Sequence, residues 1–124
     1  MEAELFVKGI SPLLKSHGFK KSNATWCKEQ AESIAVFNVQ KSSSGGGKFY
    51  VNIGVYFKVF GNDAAPTENK CHVRVRLEIK EVALVVSEAL EWFKAREYLK
   101  LARLLAEEDS KKGLVFHAIH ATTA

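Results

Sequence analysis

Apolar residues recur at helical spacing over residues 2–17. Leu5, Phe6, Ile10, Leu13 and Leu14 gather on one side, with Lys8 and Lys15 elsewhere around the wheel. The spacing predicts an amphipathic helix. Pro12 lies inside it, so the helix either kinks there or restarts with Ser11 as N-cap, and Gly18 supplies a stop. The period then shifts towards two. Residues 24–29 are short and mixed, residues 34–42 (IAVFNVQKS) begin rich in β-formers, and residues 48–60 (KFYVNIGVYFKVF) carry the strongest strand pattern. Residues 72–79 (HVRVRLEI) alternate strictly. Residues 42–47, three serines and three glycines, read as a hairpin loop, and the stretch from Gly61 past Pro66 to Asn69 reads as a second loop. Residues 86–109 predict one long helix, with Ser87 and Glu88 in its first turn and Lys111, Lys112 and Gly113 closing it. Residues 114–119 fit either a fifth strand or a short packed segment. Together these elements predict a single α+β domain over residues 1–124. Its antiparallel sheet has four or five strands, with the N-terminal and the long C-terminal helix packed on one face.

Alternation assigns the faces. Phe49, Val51, Ile53, Val55, Phe57 and Val59 share the core side of the strongest strand, as do Val73, Val75, Leu77 and Ile79 in the next and Ala35, Phe37 and Val39 in the one before. The opposite face then collects Asn38, Gln40, Tyr50, Asn52, Tyr56, Lys58, Arg74 and Arg76, beside Gly54, Phe60, His72 and Glu78. Tyr and Arg dominate binding energy at many interfaces, and tyrosines beside arginines can also stack on unpaired bases while neutralising phosphate. These eight residues are the candidate binding site. The plainer reading, which comes ahead of it, is a solvated face whose cross-strand pairs contribute roughly 0.2–1 kcal/mol each.

Size and charge narrow the function. A 13.8 kDa chain with 47% hydrophobic and 26% charged residues buries enough surface to fold without a staple. Residues 1–60 hold eight Lys and four Glu, a net +4, whereas residues 61–124 hold ten basic and ten acidic residues and balance. The excess permits attraction to polyanions without requiring it. The acidic start of the chain lacks a signal-peptide pattern, and no apolar run is long enough to span a bilayer, so a cytoplasmic location and no membrane partner are expected. Cys27 and Cys71 form no CxxC pair and are expected as buried thiols.

Candidate chemistry is sparse. Gly45, Gly46, Gly47 and Lys48 precede a strand, not the helix a phosphate-binding loop needs. His117 and His120 lack a third ligand nearby in sequence, so no metal site is expected. Cys27, Cys71, His17 and His72 sit in no nucleophile motif, and Glu29 and Glu32 read as residues of a solvated turn. No catalytic residue and no cofactor are assigned. Trp92, Phe93 and Tyr98 read as core and rim of the last helix.

Several of these segments recur together in one family. Pro12-Leu13-Leu14-Lys15, Gly18-Phe19-Lys20-Lys21, Trp26, residues 38–42 (NVQKS), residues 49–55 (FYVNIGV) and the alternation of His72, Arg74 and Arg76 resemble a bacterial family of small α+β proteins with a domain of unknown function. The resemblance covers roughly residues 10–80. It implies the same fold, carries over no catalytic residue, and suggests an interaction or toxin-immunity role by analogy. On the residues themselves, Gly18 suits a helix end with positive φ and Gly54 a bulge or close approach. Asn38, Gln40 and Asn52 either bind a ligand or form an amide ladder across the sheet. The expected function is non-catalytic protein binding, immunity-like in its specific form. The alternatives are single-stranded nucleic-acid binding by the same face, and a small-ligand binder or enzyme working between sheet and helices.

Overall fold

A computed structural model gives the structure of the chain and describes residues 2–44 and 46–120. Met1, Gly45 of the expected hairpin loop and residues 121–124 lie outside the described residues. The first helix, α1 (Ala3–Ser16), runs through Pro12 without restarting. Ser11 is no N-cap: its Oγ donates to the Val7 carbonyl one turn back. Phe6, Ile10 and Leu14 are fully buried along one stripe, each burial stabilising the fold by about 1.5–3 kcal/mol. Gly18, at φ +89°, ends the helix, and the N–H of Phe19 reaches back to the Leu14 carbonyl. That bond turns the chain into the sheet.

Six strands follow one another as an antiparallel meander: β1 (Lys20–Ser22), β2 (Thr25–Glu29), β3 (Ser33–Lys41), β4 (Phe49–Phe57), β5 (Val73–Leu77) and β6 (Gly113–Val115). The expected core faces meet in register, with Phe37 opposite Ile53 and Ile53 opposite Val75. Trp26 joins them from β2, edge-on to Phe37. Among the described residues the strands number six rather than four or five. β1 is a three-residue exposed edge with no alternation to reveal it, and the tail supplies β6 before a short helix, α4 (His117–His120), buries Ile119. Val59 and Ile79, expected in the core, are 72% and 38% exposed because their strands stop at Phe57 and Leu77.

The long C-terminal helix is two helices, α2 (Val82–Ala95) and α3 (Leu99–Lys112). The turn between β2 and β3 and the first residue of β3 supply partners at the break. Ser33 Oγ donates to the Glu97 carbonyl at 2.8 Å, and Glu32 Oε1 accepts the Leu99 N–H at 3.0 Å. The two helices are then clamped together. Arg96 donates twice to Asp109, at 2.8 and 2.7 Å, and stacks 4.3 Å from the Trp92 ring centroid. Both charged side chains are buried, so removing one partner costs about 3–5 kcal/mol. Val85, Val86, Ala89, Phe93, Ala102 and Ala106 close the core against the sheet beside α1. Among the described residues no helix is long and apolar enough to cross a membrane.

Candidate functional site

The face turned away from the helices is not uniform. At one end, residues 58–72 fold back over it through two short 3-10 turns, Lys58–Phe60 and Glu68–Lys70. Beneath them Ile34, Val36, Tyr56 and Cys71 form a second small core, with Cys27 packed against it. Gly54 makes the approach possible: a Cβ there would stand 2.6 Å from the Cys71 Cβ. Tyr56 is 7% exposed, stacks at 4.8 Å on His72, and its hydroxyl accepts the Asp63 N–H. The expected exposure of Tyr56 is therefore corrected. Lys58 stands beyond the end of β4, where it pairs with Glu29 at 2.7 Å and donates to the Gln30 carbonyl.

The other half of this face is uncovered and polar. The register places Thr25, Asn38, Asn52 and Arg76 in one row across four strands. Their side chains form a chain of hydrogen bonds. Asn38 Nδ2 donates to Thr25 Oγ1 at 3.1 Å. Asn52 Nδ2 donates to Gln40 Oε1 at 2.9 Å and to Asn38 Oδ1 at 3.3 Å. Arg76 Nε donates to Asn52 Oδ1 at 3.0 Å, and its guanidinium carbon lies 4.1 Å from the Tyr50 ring centroid. The amides thus form the cross-strand ladder, and its effect is to hold an exposed arginine flat against a half-buried tyrosine.

Arg74 has a different partner. Its Nε and Nη2 grip Glu68 at 2.9 and 3.1 Å, tying the covering segment to β5 and raising the arginine pKa further, through that hydrogen bond first. Of the eight sequence-predicted residues, Asn38, Gln40, Tyr50, Asn52 and Arg76 share the uncovered half. Arg74 marks its border, and Tyr56 and Lys58 belong to the covered end.

The remaining candidate chemistry does not converge. Burial pushes the thiols of Cys27 and Cys71 up, the opposite of what a nucleophilic cysteine needs, and both are unbridged. Burial lowers the His72 pKa, and its Nδ1 accepts the Phe57 N–H at 2.9 Å, a structural bond under a cage of Tyr56, Phe57, Phe60 and Phe116. Glu29 and Glu32 are engaged separately, by Lys58 and by the start of α3. Among the described residues no three His, Cys, Asp or Glu side chains gather to hold a metal ion.

A family model for the "Domain of unknown function (DUF4304)" matches residues 10–107. The chain belongs to the DUF4304 family. No curated protein and no solved structure matches it. The family match reaches well beyond residue 80, through α2 and most of α3, so the split helix pair lies within the DUF4304 domain. Gln40, Asn52 and the Tyr50–Arg76 stack all fall inside it. Sequence reasoning missed three residues beside the stack: Glu68, Lys112 and Leu114, which with Asn52, Arg74 and Arg76 line a shallow cleft of about 240 Å³. Glu68 comes from a loop and Lys112 from a helix end, so no spacing rule could have joined them to β5. Leu114 was nearer to reach, because the tail was open to a strand reading, and the structure pairs it with Arg74.

Proposed function

We propose that this DUF4304 domain is a non-catalytic module that grips a partner protein with the uncovered half of its sheet, centred on Tyr50 and Arg76. The observation that carries the reading is the exposed Arg76 side chain, anchored by Asn52 and stacked on Tyr50. An arginine ordered before contact loses little rotamer entropy on binding, and Arg and Tyr, with Trp, are enriched at binding hot spots. The toxin-immunity role suggested by the family resemblance is the specific form of this reading, in which capture silences the partner.

The nucleic-acid reading draws less support. With Tyr56 under the covering segment, one tyrosine remains on the uncovered half, and Arg76 already stacks on it. The test is capture from a lysate of the source cell by the wild-type chain and by Tyr50→Ala/Arg76→Ala, with and without nuclease. Loss of a stoichiometric protein partner in a variant that stays folded supports the face. Undiminished capture rejects it, and retention that depends on nucleic acid would favour the alternative.

A further inference from the structure

The cleft beside Arg76 has an unbalanced lining. Three cations, Arg74, Arg76 and Lys112, face one carboxylate, Glu68, and Arg74 already holds that one. Arg76 commits only Nε, to Asn52, so both Nη groups have no acceptor among the described residues. Lys112 likewise has no carboxylate within ion-pair distance among them. The end of a guanidinium is a planar fork that fits a carboxylate with two parallel bonds.

We infer that this cleft receives a single side-chain carboxylate from an extended acidic segment of a protein partner, whose apolar neighbours rest on Leu114 and Phe116. The inference rests on the protein-binding reading and names the chemistry recognised there. About 240 Å³ is small for a nucleotide and sufficient for a carboxylate-bearing side chain. Leu114 and Phe116 are 60% and 47% exposed along the same edge of the sheet, an apolar flank that a phosphodiester chain would not use. A neighbouring cleft shares Arg76 and Lys112 and is also lined by Arg96, Glu78, Glu88, Glu108 and Asp109, with Asp109 held by Arg96 and Glu88 by Lys80. Glu78 and Glu108, which have no ion-pair partner among the described residues, oppose a polyanion with a charge at every step, yet leave one carboxylate free to enter beside Arg76.

The probe is a blocked pentapeptide with glutamate at its centre and valine on either side, titrated into the isotope-labelled full chain and followed by NMR. The Arg76 Nε–H, the Asn52 side-chain amide and the Gly113 and Leu114 backbone amides should shift together and saturate. The glutamine counterpart should bind at least about tenfold more weakly, because it lacks the charge-assisted pair. Lys112→Gln, at an exposed helix end, should weaken the glutamate peptide while leaving the rest of the spectrum unchanged. Arg76→Lys, which keeps the charge and loses the fork, should weaken it as well. Equal response to both peptides, shifts elsewhere, or no saturable shift would overturn the assignment. Tighter, salt-steep binding of a single-stranded oligonucleotide at the same amides would replace it with phosphate recognition. Failure of the peptide titration while Tyr50→Ala/Arg76→Ala still abolishes capture would remove the carboxylate site and leave the binding face. Undiminished capture by that variant would remove both.

Discussion

Tyr50 and Tyr56 stand on the same strand and on the same side of the sheet, three positions apart in the alternation, yet they do different work. Tyr56 is a core residue: the segment over residues 58–72 covers it, with Ile34, Val36 and Cys71 around it. Tyr50 lies outside that cover, among amides and a fixed arginine. The same contrast runs along β3, where Ile34 and Val36 give way to Asn38 and Gln40 on one face. Along β3, residue type therefore changes at the edge of the covering segment. A face of a sheet is not one environment, and its apolar part marks where another piece of chain lies.

The sharpest break of this contrast is Tyr56→Ala, expected to destabilise the fold by about 3–5 kcal/mol in urea titration, as loss of a buried aromatic does. Gly54→Val should follow at about 1–3 kcal/mol, because its side chain would meet Cys71 and lift the cover. Acidification acts on the same end. The His72 pKa is lowered by burial, so the unfolded chain takes up its proton first. Stability is full above about pH 6.5, the ordinary histidine value, and is lost as pH falls from there towards the depressed folded value. The urea midpoint should be lower at pH 5.5 than at pH 7.5, and His72→Asn should flatten that difference. The smallest effect belongs to the uncovered half: Tyr50→Ala should cost under about 1 kcal/mol, since it removes one cross-strand contact and a cation–π stack. A Tyr50→Ala penalty equal to that of Tyr56→Ala would erase the distinction.

Much of the architecture was legible because it rests on periodicity. The helix over residues 2–17, the alternation across residues 49–57 and 73–77, and the inward sets from Ala35 to Phe57 and from Val73 to Leu77 appear in the structure. The short edge strand β1 was invisible, since three exposed residues carry no pattern. The split of the last helix was invisible for another reason. It depends on Glu32 and Ser33, more than sixty residues away, and no local propensity marks it. The covering segment, in contrast, did leave a signal. Residues 34–37 are apolar without interruption, which is how a strand buried on both faces reads, whereas in residues 53–57 Gly54 and Tyr56 break the run on the covered face. Strict alternation hid this, because it treated Tyr56 as the equal of Tyr50. The amide ladder was legible as an alternative from Asn38, Gln40 and Asn52. That it positions Arg76 depends on the register of β4 against β5, which sequence does not supply.

The most direct test compares the two tyrosines in one molecule. Hydroxyl-radical footprinting with mass-spectrometric readout would be run on the free chain and on the chain bound to its captured partner, with the exposed Tyr98 as internal reference. The account predicts that Tyr50 is modified in the free chain and protected in the complex, while Tyr56 stays unreactive in both. Tyr56 reacting as readily as Tyr50 in the free chain, or Tyr50 remaining equally reactive in the complex, would contradict it.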